Sequence, residues 1–249
     1  SALCHASRAH GFDCDVYPHP GMSHAERAKL SRGRTALAEL EENHTHKSLP
    51  LGRRYLSSLE QALQRSSGDP RVMRDKVRAY LSHCGMMRKD DHAKGKMLVS
   101  HIQVAAPGEQ PAGAKIPARE CWVQPGKCHH QPEKFQIPAW SQVSAGDKPE
   151  ENVTYLVDRW LGWLKANTPA YIPAEKRYLF PAISALGVVE ARPASDTGFA
   201  AWLRTVTAMA GYSRAVVERV TVHGFRTGGA TDAFNSMGAD AVEFIKRQG

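Results

Sequence analysis

The stretch VHGFRTGGATDAFNSMG, residues 222–238, holds the residues best suited to chemistry in this chain of 249 residues. His223 and Arg226 are three positions apart, so on a helix both side chains project from one face. An imidazole beside an always-charged guanidinium, at a helix start with free backbone N–H groups, is suited to binding a phosphodiester. The stretch therefore predicts an anion site.

Two glycines, Gly228 and Gly229, follow this pair inside the same predicted helix. Each costs about 1 kcal/mol relative to alanine in a helix interior. Such residues are expected where something approaches the backbone closely, and either a bound phosphate or a packed helix would explain them. Four apolar side chains of the stretch are expected to face the core: Phe225, Ala230, Phe234 and Met237.

The spacing of the pair carries little information by itself. The pattern HxxR occurs three times, at His5/Arg8, His24/Arg27 and His223/Arg226. Short patterns of this kind are more often ordinary surface pairs than binding sites. The net charge of +8 and the pI near 9.3 nevertheless favour an anionic partner, most simply nucleic acid. The surrounding sequence must decide between the two interpretations.

The chain before the predicted strands is predicted to be helical. Residues 25–42 support one helix with no other element to pack on. A second helix has Leu56, Leu59 and Leu63 on one face. A third begins with Asp69 as its N-cap and Pro70 at its first position. Its apolar stripe is formed by Met73, Val77, Leu81 and Cys84.

Short strands and further helices follow. KMLVSHIQVAA, RECWVQ and KFQIPAW are typical of short strands, the last two joined by the turn PGKCHHQPE. ENVTYLVDRWLGWLKANTP predicts an amphipathic helix, TGFAAWLRTVTAMAG another and GADAVEFIKRQG a last one. The order predicts an α+β fold that is mainly α-helical, with a small three-stranded antiparallel sheet.

Composition restricts the class and the compartment. No stretch approaches the roughly 20 apolar residues of a membrane span, and the N-terminal residues lack the apolar run of a signal peptide. Five cysteines form an odd, scattered set, which is typical of free thiols in a reducing compartment. We therefore expect an intracellular protein without a membrane segment. Because its charge favours nucleic acid, we expect it with DNA, in the nucleus if it is eukaryotic or in the cytoplasm and nucleoid if it is bacterial.

Three other features have ordinary explanations. Trp160 and Trp163 could stack on bases, but their spacing favours Trp160 in the core and Trp163 at its edge. The basic segment AKLSRGR fits a solvated helix face and phosphate contacts equally well. CxxxxxxCHH fits no common zinc spacing, so a hairpin turn with incidental polar residues is favoured and no metal is expected. The residues concerned are Cys121, Cys128, His129 and His130.

The wider string HGFRTGGATDAFNSMGADAVEFIKRQG resembles the segment of tyrosine recombinases, the phage-integrase family, in which HxLR precedes a small-residue helix and a glycine turn. The family also has an arginine at the end of an upstream helix that leads into a three-stranded sheet. HCGMMRKDDHAKGKMLVSHIQV supplies Arg88 there, with Asp91 in place of the family's glutamate. The resemblance extends from about residue 48 to the C terminus and implies a fold like that of the recombinase catalytic domain.

The resemblance also implies roles for particular residues. Arg88 and Arg226 would hold the scissile phosphate and stabilise its extra negative charge without a metal or other cofactor. His223 would hydrogen-bond the phosphate or assist proton transfer. Asp91 would orient an arginine.

A lysine in the turn between the second and third strands would protonate the leaving 5′ oxygen. Lys127 lies at that predicted turn, and Lys134, just inside the third strand, is the alternative. Thr227 and Gly228 complete the set expected to contact DNA. The implied partner is double-stranded DNA, with a homotetramer assembled on it.

The chain departs from the family at the nucleophile. In relatives a downstream tyrosine attacks and forms a 3′-phosphotyrosyl link, but this sequence has no tyrosine after Tyr212. Tyr212 precedes the motif and is interpreted as a packing residue with a polar tip. Residues 1–47 are expected to supply only the last helix and linker of a helical core-binding domain, and residues 48–249 an incomplete catalytic domain.

We therefore expect a fragment or a decayed copy of a site-specific recombinase that binds DNA and does not cut it. A non-catalytic DNA-binding protein derived from a mobile-element recombinase is the alternative, since basic charge and phosphate contacts suffice for it. An unrelated helical or metal-dependent protein with an accidental HxxR is the third possibility.

Overall fold

The structure is a computed structural model that describes residues 49–64, 68–87, 97–110, 112–123, 133–140 and 151–238, with 241, 242 and 245. The chain divides into two units, Ser1–Lys47 and Ser48–Gly249. All described residues belong to the second unit. The predicted helix at residues 25–42, the predicted core-binding remnant before residue 48 and the predicted turn after the second strand lie outside them.

Two helices open the described chain. Helix α1, Arg53–Leu63, buries a face that contains the predicted leucines: Tyr55, Leu56, Leu59 and Leu63. Helix α2, Pro70–Cys84, begins as predicted, because the Asp69 carboxylate accepts from the N–H of Arg71 at 2.8 Å and caps the first turn. Two members of the predicted stripe are fully buried: Val77 and Leu81.

Three short strands form the predicted antiparallel sheet in the order β1–β2–β3: Ile102–Val104, Arg119–Val123 and Glu133–Ile137. Cys121 pairs with Ile102 on one side and Phe135 on the other. All three side chains are buried, because residues that pair across neighbouring strands project from the same face of the sheet. The opposite face carries polar side chains, including Lys134.

Helices and one hairpin complete the chain. Asn152 caps helix α3, Val153–Asn167, by accepting from two backbone N–H groups of its first turn. Strands β4 and β5 form an antiparallel hairpin: Pro181–Ile183 and Val189–Pro193. Three helices follow it: α4, Asp196–Met209; α5, Arg214–Arg219; and α6, His223–Met237. Beyond α6, residues 241, 242 and 245 are helical.

The core is mainly apolar, with a few buried polar side chains and one buried cation. Trp160 and Phe225 are fully buried within it. Arg78 is only 1% exposed; its guanidinium lies 4.4 Å from the ring centroid of Phe199 and is bonded to the carboxylate of Asp196. Six α-helices and a small three-stranded antiparallel sheet, counted over the described residues, confirm the predicted fold class.

The structure corrects the prediction for α6. Phe225 faces the core as expected, but Phe234 and Met237 are 52% and 46% exposed. Successive residues of a helix turn by about 100°, so Phe234, nine positions after Phe225, lies on the opposite side of the helix. The pattern also failed to predict the β4–β5 hairpin and the short helix α5. No helix in the described part of the chain has the length and apolarity to cross a membrane.

Candidate functional site

The site is built around the first two turns of α6, which begins at His223. The His223 side chain is exposed and Arg226, one turn later, is half-buried. Nη1 of Arg226 donates to the main-chain oxygen of Met86 at 2.8 Å. The structure therefore has the predicted pair at a helix start, with the guanidinium oriented by a carbonyl at the end of α2.

That carbonyl is oriented by a left-handed turn. The N–H of Met87 donates to the oxygen of Ser82 at 2.9 Å, and that of Met86 donates to His83 at 3.2 Å. These two bonds form a Schellman motif, whose left-handed position is usually glycine. Here Met86 occupies it, with φ of 46°, at a cost of about 1–2 kcal/mol. The turn directs the chain, and the Met86 oxygen with it, towards Arg226.

The glycines of α6 allow two backbone segments to approach the helix. A Cβ on Gly224 would lie 2.2 Å from the oxygen of Leu49, and one on Gly228 2.2 Å from the carbonyl of Leu51. On another side of α6, a Cβ on Gly229 would lie 2.2 Å from the oxygen of His83. Close packing therefore explains the glycines that the sequence places after HxxR.

Residues 49–52, which we call the strap, run along the glycine face of α6. The N–H of Leu51 donates to the oxygen of Gly224 at 2.8 Å. Immediately after the strap, the N–H of Arg53 donates to Oδ2 of Asp232 at 2.7 Å. Leu51 itself is 2% exposed. The strap is thus fastened near the start of α6 and again two turns later.

Asp232 also ties α6 to the end of α2. Its Oδ2 lies 2.9 Å from Nε2 of His83. Burial lowers the pKa of His83 below its ordinary value of 6.5, and the bond to Asp232 opposes this shift. A neutral imidazole that donates from Nε2 satisfies the carboxylate. One aspartate therefore joins α1, α2 and α6, between two and three turns after His223.

A pocket of about 360 Å³ lies beside the second half of α6. Its lining includes Arg53, His83, Asp232 and Met237. Among these residues, Met237 is the one that the sequence assigned to the core. It lines the pocket and is 46% exposed.

Three of the predicted site residues, Arg88, Asp91 and Lys127, lie outside the described residues. Thr227 is exposed on α6. Gly228 is buried against the strap, a position that favours a packing role over the predicted DNA contact.

Lys134, the alternative to Lys127, is engaged on the outer face of the sheet. Its ammonium forms an ion pair with Glu120 on the neighbouring strand. It also lies 5.6 Å from the ring centroid of Trp122. The bond to Glu120 raises the pKa of Lys134.

Three other residues that the sequence singled out lie in the core or pack against it. Trp160 is fully buried and stacks on Trp163 with ring centroids 5.1 Å apart, as the core interpretation predicted. Tyr212 packs on Tyr55, and its hydroxyl donates to Ser58 at 3.2 Å, which confirms a packing residue with a polar tip. Cys121 is fully buried, and burial raises the pKa of its thiol.

No group of three or more potential metal ligands occurs in the described part of the chain. The cysteines that can be described there, Cys84 and Cys121, are free thiols. The other residues of the CxxxxxxCHH pattern lie outside it.

Sequence reasoning missed four contributors to the site: Leu51, His83, Met86 and Asp232. Each acts through a contact with residues distant in sequence, and two of them act through the main chain, so no local pattern marked them. A usable signal was the spacing of Gly224 and Gly228, four residues apart on one helix face, which is typical of close backbone packing.

The fold is similar to that of known recombinase structures. One is the crystal structure of the XerH site-specific recombinase bound to its difH substrate in a pre-cleavage complex, with a TM-score of 0.52 and 11% identity over 82% of this chain and 47% of that one. Another is the post-cleavage complex of XerH with palindromic difH substrate, with a TM-score of 0.52 and 11% identity over 81% of this chain and 46% of that one.

This chain therefore spans less than half of the length of the recombinase chains that it resembles. At this identity the similarity shows the fold, which is tyrosine-recombinase-like, as the sequence predicted. No protein-family model matches the sequence, and no curated protein matches it.

Proposed function

We propose that this chain is a DNA-binding domain of the tyrosine-recombinase type, in which His223 and Arg226 bind a DNA phosphate. The arrangement that carries the proposal is an exposed imidazole at the first residue of α6, one turn from a guanidinium held by the Met86 carbonyl. The net charge of +8 suits a polyanion. The recombinases with a similar fold are bound to DNA in their crystals.

Arg88 is proposed as the second guanidinium at the same phosphate. The carbonyl that accepts from Arg226 belongs to Met86, two residues earlier in the sequence. Two residues of chain span at most about 7 Å, which supports a common phosphate for both arginines. Asp91 is proposed to orient one of them. Two planar forks on one phosphate would stabilise the charge that develops on its oxygens during strand cleavage.

Lys127 is proposed as the acid that protonates the leaving 5′ oxygen. The contacts of Lys134 support this choice, since its ammonium is already engaged by Glu120 and lies near the Trp122 ring. His223 would hydrogen-bond the phosphate or assist proton transfer. The attacking group of the proposed reaction is a tyrosine, and this sequence has none after Tyr212. For residues 1–249 we therefore expect DNA binding without a covalent adduct.

The salt dependence of duplex binding tests the phosphate site. In a titration followed by fluorescence anisotropy at several NaCl concentrations, each phosphate contact adds about 0.9 to the slope of log K against log salt. Arg226→Ala should weaken binding and lower the slope by about one contact. His223→Ala should weaken binding through the loss of a hydrogen bond to the phosphate. Arg71→Ala is the matched control, because Arg71 is exposed at the opposite end of α2, about 20 Å away along the helix.

Equal slopes for Arg226→Ala, Arg71→Ala and the unchanged protein would contradict the phosphate site. Binding that is insensitive to salt would contradict phosphate-mediated binding, and absence of duplex binding at low salt would contradict DNA binding by this chain altogether.

Trapping of a covalent complex distinguishes the enzyme from a non-catalytic derivative. The test uses a nicked duplex that traps a 3′-phosphotyrosyl intermediate and a chain extended through any reading frame that follows residue 249. A trapped adduct that disappears in Arg88→Ala and Arg226→Ala, with both variants folded, would support the recombinase. Adduct formation that persists in either variant would refute the assigned roles.

A further inference from the structure

The strap contacts α6 along more than two turns, on the helix that carries the proposed phosphate site. At its start, the oxygen of Leu49 lies against Gly224, next to His223. In its middle, the carbonyl of Leu51 lies against Gly228. At its end, the Asp232 carboxylate holds the N–H of Arg53. These contacts are between main chain and main chain, or between main chain and one carboxylate.

We propose that the strap positions His223 and Arg226 for phosphate binding. Gly224, Gly228 and Asp232 are the residues of α6 that it contacts. This inference rests on the proposed function. Leu51 and Asp232 are positioning residues, since neither is required to touch DNA. The glycines of α6 then affect DNA binding indirectly, because they allow the strap to pack against the helix.

The geometry leaves α6 little freedom on either side. On the strap side, a Cβ on Gly228 would meet backbone atoms at 2.2 Å, and backbone cannot give way as a flexible side chain can. On the α2 side, Gly229 lies against the oxygen of His83, and Arg226 is bonded to Met86. A side chain at position 228 would therefore push α6 away from the strap and towards α2, which would displace Arg226 and His223.

Asp232 allows a test in which positioning and simple electrostatics predict opposite signs. Removing a carboxylate makes the protein more basic, and Coulombic attraction alone would then strengthen DNA binding. Removing Asp232 also frees the end of the strap and the His83 ring. If the strap positions the site, Asp232→Ala should weaken binding although it raises the net charge.

The experiment compares Asp232→Ala with Glu218→Ala in the full chain, using the anisotropy titration. Glu218 is an exposed carboxylate on α5, paired with Arg214. We expect Asp232→Ala to bind duplex DNA at least about 10-fold more weakly, with a salt slope lower by one or two contacts of about 0.9 each. Glu218→Ala should bind as tightly as the unchanged protein or more tightly. Equal or tighter binding by folded Asp232→Ala would overturn the proposal.

Gly228→Ala is the second variant, and Gly162→Ala its control. Gly162 also lies within a helix, α3, but a Cβ there would meet no atom within 4 Å. We expect Gly228→Ala, measured at a temperature where circular dichroism shows it folded, to lose affinity and salt slope as Arg226→Ala does. Gly162→Ala should keep both. An unchanged slope in folded Gly228→Ala would count against the strap.

Hydrogen exchange in the unchanged protein provides a test that does not depend on a variant's folding. Coupling between two sites is reciprocal, so DNA bound at His223 and Arg226 should slow exchange of the Leu51 amide, which donates to Gly224. If Arg226→Ala lowers the salt slope but DNA does not change the exchange rate of the Leu51 amide, the positioning role of the strap is refuted. The proposed function would still stand. Absence of salt-dependent binding in the unchanged protein would refute the proposed function itself.

Discussion

Arg226 on α6 donates from Nη1 to the main-chain oxygen of Met86, 2.8 Å away, at the left-handed turn that ends α2. The residues are 140 positions apart in the sequence. The contact therefore fixes one side chain of the proposed phosphate site on the turn that leads to Arg88. The geometry of the proposed phosphate site therefore depends on the packing that stabilises this turn.

Gly85→Ala should destabilise this turn. A Cβ at position 85 would lie 2.7 Å from two ring atoms of Phe135, which is itself 4% exposed. Overpacking of this kind costs about 1–3 kcal/mol in the free energy of unfolding. The measurement is urea unfolding of the variant and of Gly68→Ala, where a Cβ would meet nothing within 4 Å. Equal stability of the two variants would show that the Phe135 ring gives way without cost.

Tyr55 and Thr207 form a buried hydrogen-bonded pair. Removing one hydroxyl should cost a different amount of stability from removing the other. The Tyr55 hydroxyl lies 2.5 Å from Oγ1 of Thr207, which in turn donates to the oxygen of Leu203. Thr207 has one hydroxyl proton, so Tyr55 must be the donor between them. Burial raises the pKa of Tyr55 to about 12, which keeps the phenol protonated.

Tyr55→Phe should therefore cost about 0.5–1.5 kcal/mol in the free energy of unfolding, since Thr207 keeps its acceptor. Thr207→Val should cost about 1–3 kcal/mol, because it leaves a buried phenol without an acceptor. Urea unfolding of both variants measures the difference. A larger loss for Tyr55→Phe would reverse the assigned direction of the hydrogen bond.

Local patterns predicted the elements whose start or burial depends on neighbours in sequence. Asp69 and Pro70 predicted the first turn of α2, and alternation along RECWV predicted the strand that buries Cys121. The residues of the stretch HGFRTGG predicted that His223 would lie at a helix start. These features depend on capping, periodicity and a short motif.

The remaining features depend on contacts between distant segments. Nothing near Met86 indicates that its carbonyl receives Arg226. The side of α6 that carries Phe234 was assigned to the core by composition, but the glycines set the buried side of the helix. Helix α5 has six residues, too few for a hydrophobic period to be recognised.

Asp196→Ala should be among the more destabilising single changes in the described core. Arg78 is 1% exposed and hydrogen-bonds Oδ1 of Asp196 through Nη2. Burial lowers the pKa of Arg78, against the opposing effect of that carboxylate. Removing one partner of a buried ion pair costs up to about 3–5 kcal/mol in the free energy of unfolding, and here the carboxylate of Asp196 is 21% exposed. Glu190→Ala, which breaks the exposed pair with Arg192, should cost no more than about 1 kcal/mol.

The double variant Arg78→Met, Asp196→Ala separates the buried charge from packing. It should lose less stability than the sum of the single losses, because the cation that needed the carboxylate is absent. Strictly additive losses in urea unfolding would show that the two side chains stabilise the fold independently.

His83 predicts a dependence of stability on pH. Its pKa is lowered in the folded protein, chiefly by burial, relative to 6.5 in the unfolded chain. As the pH falls below 6.5, the unfolded chain binds a proton that the folded protein does not yet accept, so the free energy of unfolding decreases. The decrease ends once the pH passes the lowered pKa. Above pH 6.5, His83 is neutral in both the folded and the unfolded protein and contributes nothing to the pH dependence of stability.

His83→Gln should remove this term, since an amide does not titrate and can still donate to Asp232. The measurement is urea unfolding of both proteins at pH 7.5 and at pH 5.5. Because all other titrating groups are shared, the difference between the two proteins isolates His83. We expect the unchanged protein to lose more stability than the variant on going to the lower pH. An equal loss in both would mean that His83 titrates in the folded protein as it does in the unfolded chain.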